Sequence, residues 1–247
     1  MRVSSLKAII VGSIFAGVLC GSPGHAQLKP HTPAGTRIAS NPKAIDPDLA
    51  RKMKKDFARC IYERDADVVD RLLNSSDPKT VNFEQLGFDE ADLVEKLGMS
   101  KCLSRAMTDD QLRAMMSFQI DGLRPLLAEE AYLSARREPP QIGPDDEEFL
   151  TNRVFVESGK VVQARLYGAL ADCIVFNAPA DADRLLRTTP ASDDELAAVN
   201  ALVPTLGSCV TQGQEIVLMP LSVRALVADG LWSRVRFGAE RVMEAAE

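Results

Sequence analysis

The chain has 247 residues, a formal charge of −6, 46% hydrophobic and 26% charged residues. That is enough chain for one large or two small globular cores. The acidic balance excludes the clustered-cation surface of a nucleic-acid binder and disfavours an anionic membrane surface.

Residues 1–26 read as a secretory signal peptide. Arg2 and Lys7 make the basic start, an uncharged apolar run follows from Ala8 to Gly21, and small residues precede Gln27. The apolar run is shorter than the ~20 residues of a membrane span, so no stable membrane insertion is expected after cleavage. A periplasmic or secreted location follows. Residues 27–46, with Pro30, Pro33, Pro42 and Gly35, read as a flexible lead that buries no core.

Helical order is expected from Asp46-Pro47, an N-cap followed by a first-turn proline. Leu49, Met53, Phe57, Cys60 and Ile61 then recur at helical spacing, while the basic run Lys52–Lys55 reads as a solvated face. A short helix follows over 67–74, and a third over 89–97 before Gly98. A fourth helix carries Arg124, with Thr108-Asp109-Asp110-Gln111 as a capping box before it. The stretch 137–150 is proline-rich and then acidic, and reads as a linker.

Beyond it the same order returns. Residues 60–73 and 173–186 are identical at six of fourteen positions without a gap: Cys60-Ile61 and Asp70-Arg71-Leu72-Leu73 match Cys173-Ile174 and Asp183-Arg184-Leu185-Leu186. A second cysteine follows each copy, at Cys102 and Cys209. A third block, from Leu123 to Tyr132, matches that from Val223 to Trp232. In the second copy Ser158 should cap a helix with Val162, Leu166, Leu170, Cys173 and Ile174 inward. A short helix over 180–187 follows, then one capped by Ser192 with Glu195 and carrying Leu196, Val199, Leu202 and Leu206. Gly213 to Pro220 reads as a short extended piece. The expected fold is mainly α: two tandem homologous repeats of about four helices, 47–136 and 151–247.

The four cysteines beyond Cys20 allow three pairings. Duplication and export favour one disulfide per repeat, Cys60–Cys102 and Cys173–Cys209. Their wide spacing fits neither a redox Cys-x-x-Cys motif nor a zinc site.

The two histidines, His25 and His31, precede the helical part, so histidine-based triads, metal ligation and acid–base work are not expected there. No phosphate-cradling glycine loop is present, and no cofactor or metal is expected. The scattered methionines read as core filling. Glu157-Ser158 resembles the opening of the lytic transglycosylase motif, but the Gly-Leu-Met-Gln that should follow is missing.

Arg124 and Arg224 share helix faces with core-type neighbours, so each needs a partner. The acid recurring in both copies is Asp70/Asp183, hence the expected ion pairs Arg124–Asp70 and Arg224–Asp183. Glu129/Asp229 and Tyr132/Trp232 are matched too; solvent-facing rings would mark a contact surface. The leading function is an exported, non-catalytic binding or adaptor protein with a protein partner in the envelope. The alternatives are a carrier of a small apolar or anionic ligand between the repeats, and a carboxylate-based cell-wall hydrolase.

Overall fold

In the computed structural model, residues 45–106, 120–210 and 219–238 are described, save the side chains of residues 120 and 121. The signal and most of the lead, the box at Thr108 and most of the piece from Gly213 lie outside them. Among the described residues the protein is mainly helical and has no strands, with one isolated bridge between Ser76 and Val81.

The local chemistry explains most of the boundaries. Asp46 accepts from the backbone N–H groups of Asp48 and Leu49, both at 3.0 Å, to start α1 (Pro47–Arg64). Asp65 ends α1 and caps α2 (Ala66–Asn74) through Val68 N–H. Three short helices follow: α3 (Phe83–Leu86), α4 (Glu90–Lys96) and α5 (Met99–Ala106). Gly87 and Gly98 sit at φ 83° and 60°, the left-handed region where glycine is unstrained, and so end α3 and α4. The region 47–136 therefore holds α1 to α6 (Ile120–Ala135), six helices among the described residues rather than about four.

The second region holds α7 (Val161–Asn177), α8 (Pro179–Arg187), α9 (Asp193–Cys209) and α10 (Pro220–Gly238). Ser192 Oγ accepts from Glu195 N–H at 3.2 Å, as its spacing predicts. The disulfides are Cys60–Cys102, clasping α1 to α5, and Cys173–Cys209, clasping α7 to α9.

One expectation for α7 fails. Ser158 does not cap it (Val161 follows Lys160 as cap), and Val162 and Leu166 are 67% and 61% exposed. Its buried face is Ala164, Gly168, Ala171, Ile174 and Val175. The reason is close approach: a Cβ on Gly230 of α10 would lie 2.7 Å from the Ala171 carbonyl oxygen and 2.8 Å from Val175 Cγ2. Small residues let the two backbones meet, which turns the larger ones outward. Gly230→Ala is therefore expected to lower stability by about 1–3 kcal/mol, because the obstacle is backbone and cannot yield. Urea unfolding measures it, and a change below about 0.5 kcal/mol would show that the helices are not so close.

The stretch read as a linker is tied down. Arg234 donates to the carbonyls of Glu147 and Glu148 at 2.6 and 2.8 Å, and buried Leu150 donates its N–H to Asp172 at 3.1 Å. A single apolar core runs from Phe57 and Leu72 through Leu127 and Ile174 to Leu231 and Trp232. At its centre α10 packs against α6, α7, α8 and α9. It is buried on nearly every side, from Val223 to Phe237, as a central helix must be.

Candidate functional site: a pocket on a charged seam

Helices α6 and α10 each carry an arginine and, five residues later, an acid: Arg124 and Glu129, Arg224 and Asp229. The four side chains exchange partners. Arg124 pairs with Asp229, and Arg224 grips Glu129 with two bonds of 2.8 and 2.7 Å. All four are at most 3% exposed. Buried charges need full satisfaction, and here they find it in further partners. Arg124 donates to Ser76 Oγ at 3.0 Å and lies over the Trp232 ring at 5.3 Å. Arg153 joins Asp229 to Asp172, the latter at 2.6 Å. Arg224 also donates to the carbonyls of Leu185, Leu186 and Thr188 at the end of α8, and to Glu195 at 3.2 Å.

The expected partners were therefore wrong. Asp70 is exposed on α2, a helical step of about 100° beyond inward-facing Val69. Asp183 is buried but binds Tyr132 Oη at 2.7 Å and Arg187 at 2.8 Å. Tyr132 and Trp232 are likewise buried, at 0% and 6% exposure, so neither ring forms a contact surface. Each instead anchors its helix within the core.

Helix α1 extends the network. Arg51 binds both oxygens of Glu195 at 2.7 and 2.6 Å, and Lys55 pairs with Glu129 and with Glu130 at 3.3 Å. Lys55 is thus not on a solvated face. The adjacent acids Glu129-Glu130, set among Leu126, Leu127, Ala128, Ala131 and Tyr132, were the signal that a cation must come from elsewhere.

These side chains border a pocket of about 420 Å³ between α1, α6, α7 and α10. Its walls include Pro125, Leu126, Leu170, Pro190, Leu221 and Leu226; Arg51, Lys54, Lys55, Arg224, Glu129, Tyr167 and Ser222 supply the polar groups. Such a volume falls within the ~300–1,000 Å³ of small-molecule sites, which are similarly apolar with few polar groups. A second depression of about 570 Å³, beside α8 and α9, is lined by polar groups such as Arg184, Arg187 and Asp194. Among the described residues no group of three or more His, Cys, Asp or Glu is placed to hold a metal ion, and no helix is long and apolar enough to cross a membrane.

Burial alone would raise the Glu129 carboxyl, but Arg224 and Lys55 outweigh it and hold the group below its usual 4.5. Glu130 is raised by burial, which Lys55 only partly offsets, and further by the charge of Glu129. Asp172 is raised by burial against the opposing pull of Arg153. Burial pushes Arg124 and Arg153 down to about 10, so both stay charged at neutral pH. The signs differ. Glu130 and Asp172 bind a proton more tightly when folded, so acidification through their raised values stabilises the fold. Glu129 binds one less tightly, and its contribution, present above 4.5, is lost as pH falls through its depressed value. Stability should therefore rise on mild acidification from neutrality and turn down at lower pH. Denaturant titrations across pH measure this, and Glu130→Gln should reduce the rise; a steady fall from neutrality would contradict it.

Fold and pocket together define a mainly helical, doubly disulfide-bonded protein with a small-ligand-sized cleft. Comparison with protein-family models, curated proteins and solved structures finds no match to this chain.

Proposed function

We propose that this is an exported, non-catalytic binding protein whose ligand is a small, largely apolar molecule held in the seam pocket. The observation that carries the reading is the pocket itself: about 420 Å³, apolar-walled, and bordered by Arg224 where the two halves meet. In this reading the halves are copies of one unit. Its support is the exchange of partners, Arg124 to Asp229 and Arg224 to Glu129, which is the self-complementary pattern of a two-fold interface. The two disulfides, each within its own half, suit an oxidising compartment.

An adaptor role toward a protein partner in the envelope is the second reading. It is favoured by the outward apolar residues Val162 and Leu166 of α7 and Leu196 and Val203 of α9. A hydrolase has less support, since Glu129 is held ionised by two cations and Glu157 lies exposed beside Arg165 at 3.1 Å.

Native mass spectrometry of the protein recovered from envelope extract separates these readings. A small molecule bound at one per chain, and lost in Leu221→Arg, is expected. A chain that carries none but captures one envelope protein would shift the assignment to the adaptor.

A further inference from the structure

The charges that border the pocket are spent on one another. Arg224 gives its Nε and both terminal nitrogens to Glu129, Glu195 and the carbonyls that end α8. Lys55 lies between Glu129 and Glu130, and Glu129 accepts from Lys55 and Arg224 together. Arg51 is held by both oxygens of Glu195, and its Nε is enclosed, out of reach of anything in the cleft. Lys54 and Tyr167 are engaged as well. An organic ion entering here would leave water for an apolar cleft whose charges already have partners. Its desolvation would go uncompensated unless it broke one of those pairs. A neutral molecule meets no such cost. Ser222, partly buried on the first turn of α10, takes no part in these pairings. It stands four residues before Leu226, as Leu221 does before Ala225, so its hydroxyl lies within an apolar stretch of the wall.

From this we infer that the pocket selects an uncharged aliphatic molecule with one hydrogen-bonding oxygen, the hydroxyl or carbonyl of an alcohol, ketone or ester, and turns away organic ions of either sign. The inference rests on the reading of this cleft as a ligand site. The oxygen bonds to Ser222 Oγ, which can donate to it or accept from it. The body lies against Leu126, Leu170, Pro190, Leu221 and Leu226. At the ~30 Å³ of a water-sized group, the volume accommodates about fourteen such groups, so a chain of roughly eight to twelve carbons fits.

Isothermal titration of the full, disulfide-intact protein with 1-decanol, decanoate and decyltrimethylammonium tests this near neutral pH and below micellar concentrations. The alcohol should bind one per chain, at least about tenfold more tightly than either ion. Leu221→Arg, at a half-exposed position, should abolish that binding, which places it in this cleft. Ser222→Ala should weaken the alcohol about fivefold, the loss of one hydrogen bond, with the urea midpoint of the free protein unchanged. Either ion binding as tightly as the alcohol, or full alcohol affinity in Ser222→Ala, would overturn the assignment of a neutral hydrogen-bonding ligand while leaving an apolar-ligand site. Failure of every probe to bind, or alcohol binding indifferent to Leu221→Arg, would overturn the ligand site itself.

Discussion

Replacing Asp229 by alanine should lower the unfolding free energy by about 3–5 kcal/mol, the cost of leaving buried charge unpaired. Asp229 has no exposure, and two guanidiniums, Arg124 and Arg153, converge on it. Without it Arg124 keeps Ser76 Oγ and the Trp232 ring as close partners, and Arg153 keeps Asp172. Neither arginine can swing into water, because both are enclosed by the shared core. Removing the partly exposed Asp181, which pairs with Arg184 at 2.7 Å, should by contrast change stability by less than about 1 kcal/mol. Urea unfolding of the two variants checks the contrast. Replacing Arg124 and Asp229 together by apolar residues should be milder than removing Asp229 alone, since no stranded charge remains. Equal losses for Asp181 and Asp229 would show that the buried network is wet.

Opening either disulfide is the second large effect. The bridges close loops of 42 and 36 residues in sequence separation, each contributing about 4 kcal/mol in the chain-entropy model. The two should nonetheless differ. Cys60 and Cys102 are buried, at 5% and 0% exposure, whereas Cys173 and Cys209 are only partly covered. Mild thiol reductant should therefore open Cys173–Cys209 first, with Cys60–Cys102 surviving until the fold loosens. Alkylation and peptide mapping through a reductant series reads the order directly. Simultaneous opening, or earlier loss of Cys60–Cys102, would contradict the burial argument.

Much of the fold was legible because local chemistry sets it. Asp46-Pro47, Ser192 with Glu195, and Gly98 act within a turn or two of the chain, so their consequences can be read without tertiary knowledge. The cysteine pairing was legible from the recurrence of Cys60 and Cys173 with a later partner each. The arginine partners were not. Matching two stretches pairs residues by their place in the pattern, but it does not say whether a side chain finds its partner in its own stretch or in the other. Arg124 and Arg224 both cross, and Asp70, the expected partner, points away from the core.

The facing of α7 was illegible for a related reason. Val162 and Leu166 look like core residues by hydropathy, yet Gly168 and Ala171 face inward because Gly230 brings a second backbone against them. Periodicity records which residues are apolar, not how near the next helix lies. Likewise Lys55 sits in a run of cations, and only the buried Glu129-Glu130 pair of α6 draws it inward. The pocket inherits all three of these features, which is why no short motif announced it.

Differential scanning calorimetry of the disulfide-intact protein tests the shared seam most directly, since the pocket exists only if both halves fold against each other. One cooperative transition is expected, with calorimetric and van't Hoff enthalpies equal. Two resolved transitions, one for each half, would contradict a common core and leave the pocket without its walls.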